Sequence, residues 1–423
     1  MNTQLDYAKA GVVTDEMRQA VSSEPVTAEE LRELIAAGRA VLPKNVNHSF
    51  AVLKAIGQGL KTKVNANLGS SGECCVQDLE AAKLKAAVDA KTDSIMDLST
   101  GGNLAGLRQF FLENSPVMVG AVPIYTVATE LVCRQEPLEK MDADGLLRSI
   151  EKQCREGVDY ITVHCGVTLA SVKKLESYER LMPCVSRGGS IHMYWMRKNR
   201  KENPLYEHFD DLLEIAHKYD VTLSLGDGFR PGTIVDATDG AQIEELMILG
   251  ELARRARARG VQTMIEGPGH VPLNQIQANV QLQKRLCDGA PFYILGPLPT
   301  DIAAGYDHIT AAIGGALAGM AGADFLCYVT PAEHLGLPNV ADVYQGVMAS
   351  RIAAHVSDIA KGLPGAMEAD RRISHCRQNL DWEGVIREAI DPDLVRERLQ
   401  ITEDREACTM CGKLCAVKIS RLH

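Results

Sequence analysis

The chain has 423 residues, 46% of them hydrophobic and 24% charged, which suits a folded protein of one large domain with one or two smaller ones. Its net charge is −10 and its cations form no basic stripe, which excludes nucleic acid as a partner. The N-terminus lacks the basic and apolar regions of an export signal, and the most apolar tract, residues 309–323, is too short to span a bilayer, so no membrane partner and a cytoplasmic location are expected.

Residues 1–60 read as a small N-terminal domain, with a helix over 27–40 (TAEELRELIAAGRA) and a loop at 43–50 (PKNVNHSF). From residue 61 a short apolar or β-branched run repeatedly ends in polar residues and glycine, and a helical segment often follows. The runs are KVNANLG (63–69), DSIMDLSTGG (93–102), VMVGAVPIY (117–125), YITVHCG (160–166), VSRGG (185–189), VTLSLGDGFRPG (221–232), TMIEGPGH (263–270), FYILGP (292–297) and FLCYVTP (325–331). Between them, VQDLEAAKLKAAVDA and GAQIEELMILGELARRARARG read as helices, the second with apolar residues at three- and four-residue spacing for packing on a sheet. This alternation predicts an α/β protein, a parallel (β/α)8 TIM-type barrel over 61–340. Nine candidate strands are one too many, so one is irregular or lies outside the barrel. Residues 341–423 read as a helical C-terminal domain that ends in CTMCGKLC at 408–415.

Active sites of such barrels gather at the C-terminal ends of the strands. Those ends carry Asn67, Met96 with Asp97, Tyr125, His164, Ser186-Arg187-Gly188, Asp227 with Arg230, Glu266 with His270, and Tyr293, and His334 follows the last run. Arg187 beside Gly188 and Gly189 offers a planar cation and bare backbone N–H groups, which suit a phosphate monoester; the Asp227 carboxylate suits ribose hydroxyls. The plain alternative is turns held by structural ion pairs. His270 and His334 can share a metal, with Glu266 or Glu333 nearby, or can be loop histidines satisfied by hydrogen bonds.

Of the twelve cysteines, Cys133, Cys154, Cys165, Cys184, Cys287, Cys327 and Cys376 stand alone and read as small core hydrophobes, and the pair Cys74–Cys75 has no assigned role. Only Cys408, Cys411 and Cys415 cluster. Three thiolates can hold an Fe–S cluster with one iron open, a zinc ion if His423 supplies a fourth ligand, or a redox pair.

The segments SIMDLSTGG, VPIY, SRGGS, SLGDGFRPG, MIEGPGHVP, LGPLPTDIAAGYDHITAAIG and LCYVTPAEHLGLP, together with the cysteine tail, resemble the phosphomethylpyrimidine synthase family over residues 3–420. The resemblance implies a radical S-adenosylmethionine enzyme, a lyase, with a (β/α)8 barrel, a small N-terminal domain and a C-terminal 4Fe–4S cluster held by Cys408, Cys411 and Cys415. It implies a homodimer, an external electron donor and the substrate 5-aminoimidazole ribotide. By resemblance the substrate ligands are Asn67, Met96, Tyr125, His164, Ser186, Arg187, Gly188, Asp227, Arg230, Glu266 and Tyr293, and His270 with His334 hold a divalent metal, zinc or iron.

Several positions depart from the thiamine pattern: Thr126, His192, Met193, Tyr194, Phe229, Pro299 and Ala304, and the tail has three residues between Cys411 and Cys415. On those departures the expected product is 5-hydroxybenzimidazole, the lower base of an anaerobic cobalamin. The alternatives are hydroxymethylpyrimidine phosphate for thiamine, and a non-catalytic barrel with a structural zinc tail.

Overall fold

The computed structural model describes residues 2–72, 76–399 and 407–421, and no side chain is described at 413. The Cys74–Cys75 pair and His423 lie outside the described residues. The chain forms two compact units, Met1–Asp358 and Ile359–His423.

The first unit opens with helices Gln4–Lys9, Asp15–Ala20 and Ala28–Ala36, each started by a threonine whose hydroxyl accepts from a backbone N–H three residues on. The third helix ends four residues before the expected position. Gly38 takes a φ of +72°, and its N–H and that of Arg39 bond back to Ile35 and Leu34, closing the helix. Leu5, Met17, Leu31, Ile35 and Leu42 pack there as a separate buried cluster. A short antiparallel ribbon follows, β1 (Ala40–Val41) with β2 (Ile56–Gly57). The loop between them ties to the barrel through Asp159, whose carboxylate accepts from the backbone N–H groups of Asn45 and Val119 and meets His48 Nδ1 at 2.8 Å.

Eight parallel strands then close into a barrel: β3 (Lys63–Leu68), β4 (Ser94–Asp97), β5 (Met118–Ala121), β6 (Tyr160–Val163), β7 (Thr222–Leu225), β8 (Thr263–Gly267), β9 (Phe292–Leu295) and β10 (Phe325–Cys327). Neighbours in sequence are neighbours in the wall, and β10 closes on β3 with Leu326 opposite Val64. The surplus ninth run is settled: VSRGG is no strand. Ser186 is an N-cap whose hydroxyl accepts from Gly189 N at 3.1 Å, and the helix Arg187–Asn199 begins at the next residue. A second correction concerns Tyr125. Strand β5 stops at Ala121, and Pro123 starts the helix Pro123–Cys133, so Tyr125 sits in a first helical turn.

Alternate strand residues point into the barrel and fill it. The Tyr160 ring lies over Gly120, where an added Cβ would come within 2.2 Å of the ring. Phe325 packs against both Tyr160 and Tyr293, at 6.5 and 4.4 Å between ring centroids. Among the described residues no helix is long and apolar enough to cross a membrane.

The second unit consists of helices Ala366–Asn379, Trp382–Glu388 and Pro392–Arg398, then a single 3-10 turn, Gly412–Leu414, and the short helix Ala416–Ile419.

Candidate functional site

The floor of the site is a chain of hydrogen bonds across the barrel interior. Tyr160 OH lies 2.8 Å from Ser94 Oγ and donates to Asn65 Oδ1 at 2.9 Å. Asn65 Nδ2 in turn donates to Asn67 Oδ1 and meets Tyr293 OH, each at 2.8 Å. Asn67 Nδ2 donates to Cys327 Sγ at 3.0 Å. The orientation of Asn67 and Tyr293 is therefore fixed from below, by Asn65, which does not line the cavity, and for Asn67 also by Cys327 in the wall.

Above this floor lies a cavity open to solvent, about 490 Å³ with the open space at its mouth included. Its wall includes Asn67, Met96, Tyr125, His164, Asp227, Arg230, Glu266 and Tyr293, eight of the eleven residues that the resemblance implies as substrate ligands. A wider space of about 1150 Å³ adjoins it, sharing Asn67, Tyr125 and Arg230 and adding Arg187, Glu333 and His334. The Arg187 guanidinium lies 4.9 Å from the centre of the Tyr125 ring, a cation–π contact at the mouth. Ser186 and Gly188 line neither space: the serine hydroxyl caps the helix, and Gly188 backs the His164 ring.

Two carboxyl groups face the cavity in different settings. Glu266 Oε1 accepts from Thr162 Oγ1 at 2.8 Å and Ser224 Oγ at 3.0 Å. Burial still raises its pKa, with those hydroxyls and Arg230 opposing. Asp227 pairs with Arg230 at 3.1 Å through Oδ1, while Oδ2 is buried with no partner among the described residues. Burial pushes Asp227 well above the carboxylate range; Arg230 opposes, and the Glu266 and Glu245 carboxylates add to the rise. With both carboxyls driven toward the neutral form beside two guanidinium groups, the site favours an anionic ligand. Burial holds the His164 imidazole neutral, well below its ordinary pKa.

The turn carrying Asp227 and Arg230 is held from behind. Glu245 Oε1 and Oε2 accept from the N–H groups of Gly228 and Phe229 at 2.8 and 2.7 Å. Burial raises Glu245 to about 7. Sequence reasoning missed Asn65, Thr162, Ser224, Cys327 and Glu245. Asn65 and Thr162 each lie two residues before a singled-out strand-end position (Asn67 and His164), so the period of two along a strand was the available signal for them; Ser224, three before Asp227, had none. Cys327, read as a core hydrophobe, lines the cavity, and Cys133 is exposed.

His270 and His334 come together, with ring centroids 5.1 Å apart. Each ring has an aspartate at Nδ1: Asp301 at 2.8 Å from His270 and Asp307 at 3.6 Å from His334. A carboxylate hydrogen-bonded to Nδ1 orients a histidine to coordinate through Nε2; His270 has that support from Asp301, whereas Asp307 stands beyond hydrogen-bond distance of His334. Neither aspartate was singled out from sequence. Glu266 is engaged inside the barrel by two hydroxyls; Glu333 is half-buried, and desolvation raises its pKa. Among the described residues no three His, Cys, Asp or Glu side chains are gathered as a metal requires, at this pair or at the cysteine tail.

In the second unit Cys408 is half-buried, Cys411 exposed and Cys415 buried. They bracket one turn, in which Gly412 N–H bonds to the Cys408 carbonyl at 3.1 Å and Leu414 N–H to that of Cys411 at 2.9 Å. The donor set, three thiols within eight residues on a turn, fits an Fe–S cluster in kind, and ligand gathering accompanies the binding of such groups.

The model of the radical SAM ThiC family matches residues 3–422. The chain belongs to that family. It is therefore an enzyme of the radical S-adenosylmethionine class, and membership carries a 4Fe–4S cluster and S-adenosylmethionine with it. The phosphomethylpyrimidine synthase of Moorella thermoacetica is 57% identical over 419 residues, which cover 99% of this chain and 97% of that protein. That of Caldanaerobacter subterraneus subsp. tengcongensis is 55% identical over 420 residues, with the same coverage. That of Syntrophus aciditrophicus is 55% identical over 421 residues, covering 99% of both chains.

These relatives overturn the expected 5-hydroxybenzimidazole product: proteins this similar from end to end bear the thiamine name. The structure gives a physical reason. None of the departures behind that expectation, Thr126, His192, Met193, Tyr194, Phe229, Pro299 and Ala304, lines the cavity or the space above it. Phe229 and His192 are fully buried behind the wall.

Proposed function

We propose that the chain is a phosphomethylpyrimidine synthase that rearranges 5-aminoimidazole ribotide into hydroxymethylpyrimidine phosphate. The observation that carries this reading is the identity of 55–57% to synthases of that name over 99% of the chain. The cavity supports it. Arg187 and Arg230 at the mouth suit the phosphate, with Gly188 and the capped helix start of Ser186 behind them. Asp227 and Glu266, driven toward the protonated form, donate to or accept from ribose hydroxyls and the amino group. Asn67 and Tyr293, held by Asn65, and the neutral His164 fix the base and sugar in one orientation. Met96, Leu98, Val122, Ile294 and Leu295 supply the apolar wall that keeps water and stray hydrogen donors out.

Cys408, Cys411 and Cys415 would hold the cluster, and His270 with His334 a divalent metal, zinc or iron. When bound, the cluster and S-adenosylmethionine supply a 5′-deoxyadenosyl radical, with an external donor giving the electron. A homodimer is part of the same reading.

The test is anaerobic. Reconstituted protein is incubated with 5-aminoimidazole ribotide, S-adenosylmethionine and a reductant, and the products are separated by mass. Hydroxymethylpyrimidine phosphate is expected, and its loss in Cys408→Ala, Cys411→Ala and Cys415→Ala. A benzimidazole, or turnover that survives those substitutions, refutes the reading.

A further inference from the structure

A histidine in the cavity wall, His164, and one behind it, His192, lie close together with three ring nitrogens that bond to nothing among the described residues. His164 is clamped between two glycines. A Cβ on Gly188 would fall 2.2 Å from its Cε1, and one on Gly226 would fall 2.8 Å from its Cδ2. The ring plane is thus fixed. His164 lines the cavity, yet its Nδ1 is buried and unpartnered, so the nitrogen open to a ligand is Nε2. His192 lies one helical turn beyond Gly188 in Arg187–Asn199, is fully buried, and has both Nδ1 and Nε2 unpartnered. The two ring centroids are 6.5 Å apart at 45°.

Buried polar atoms are nearly always bonded, so three such nitrogens in one place require an explanation. The separation is too long for a direct ring-to-ring hydrogen bond. It matches two legs of about 2.8 Å through one water molecule, and a buried water needs the two or more polar partners that these nitrogens offer. A neutral imidazole has one donor and one acceptor, and what its inner nitrogen does decides what its outer nitrogen presents.

We propose that a buried water links His164 Nδ1 to His192, and that this link locks the tautomer which His164 shows to the substrate at Nε2. His192 is then a positioning residue, set behind the wall and acting only through His164. The proposal rests on His164 facing the substrate, as in the function proposed above.

The experiment compares wild type with His192→Leu and His192→Gln as full-length reconstituted protein. A high-resolution crystal structure without substrate should show ordered density within hydrogen-bonding reach of His164 Nδ1 and a His192 nitrogen. It should be missing in His192→Leu. That observation needs no turnover, so it stands apart from the product question. In kinetics, losing the lock leaves His164 divided between tautomers, and only the competent fraction binds. KM for the nucleotide should rise about three- to tenfold in His192→Leu, with kcat within about twofold because saturating substrate selects the competent form. His192→Gln, which keeps a donor and an acceptor, should recover most of the KM. A purely structural histidine predicts otherwise. Replacing two orphan nitrogens by an apolar side chain would then hold or raise thermal stability and leave KM unchanged. Dry density between the rings, an unchanged KM in His192→Leu, or a fall in kcat together with melting temperature each refutes the proposal.

Discussion

Gly120→Ala tests the barrel floor. The new Cβ would lie 2.2 Å from Tyr160 Cζ and 2.7 Å from its OH, whereas ordinary contact begins at 3.4 Å, so the ring must retreat by about 1.2 Å. It has nowhere to go: Tyr160 is fully buried, Gly120 is its register partner on β5, and Phe325 flanks the ring. Overpacking of this kind costs about 1–3 kcal/mol. The displaced hydroxyl also loses its bonds to Ser94 and Asn65, at about 1 kcal/mol each. Replacing glycine stiffens the unfolded chain, which returns about 0.4–1 kcal/mol. The net expectation is a destabilisation of about 3 kcal/mol. The assay is the urea transition of the barrel unit, followed by Trp195 fluorescence in a Trp382→Phe background. A double-mutant cycle with Tyr160→Leu, which makes room for the methyl group, should recover about 2 kcal/mol as coupling. An unchanged midpoint, or no coupling in the cycle, refutes the argument.

Gly188→Ala should lower both stability and function. Alanine favours the helix by about 1 kcal/mol, but its Cβ at 2.2 Å from the buried, clamped His164 ring overpacks the wall at about 1–3 kcal/mol, so the melting temperature falls, and displacement of His164 lowers kcat/KM about 100-fold; a variant with unchanged melting temperature and turnover contradicts the clamp. Stability should also fall as pH rises from 5.5 to 8. Burial raises both Asp220 and Glu245 to about 7. A carboxyl raised in the fold contributes its stability below its ordinary pKa and loses it as pH passes through about 7, on the order of 3 kcal/mol per group. Urea midpoints across that range check this, and Glu245→Gln should flatten the slope; a midpoint that rises with pH contradicts it. Asp301→Asn, which removes the carboxylate at His270 Nδ1, should weaken zinc binding about 10- to 100-fold in equilibrium dialysis, whereas equal affinity would mean that the histidine pair binds no metal there.

Much of the site was legible because β-strand and loop chemistry is local. Strand ends of a (β/α)8 barrel converge whatever lies between them, so Asn67, His164, Asp227, Glu266 and Tyr293 meet although they are spread over more than half the chain. The residues that support them were less visible. Thr162 and Ser224 look like any β-formers until Glu266 is seen between them, and Glu245 looks like a surface helix residue until it accepts from Gly228 and Phe229.

The sequence by itself determined the parallel barrel and the family and singled out the cysteine tail, because each is written in short-range pattern: alternating strand and helix periods, family motifs in order, and cysteines spaced on one turn. Only the tertiary structure decided that VSRGG opens a helix, since the Ser186 hydroxyl and the clamp of Gly188 on His164 outweigh any strand tendency in five residues. It also decided that the divergent positions line neither the cavity nor the space adjoining it. Which side chains share a wall depends on contacts between residues far apart in the chain, and no local pattern encodes those.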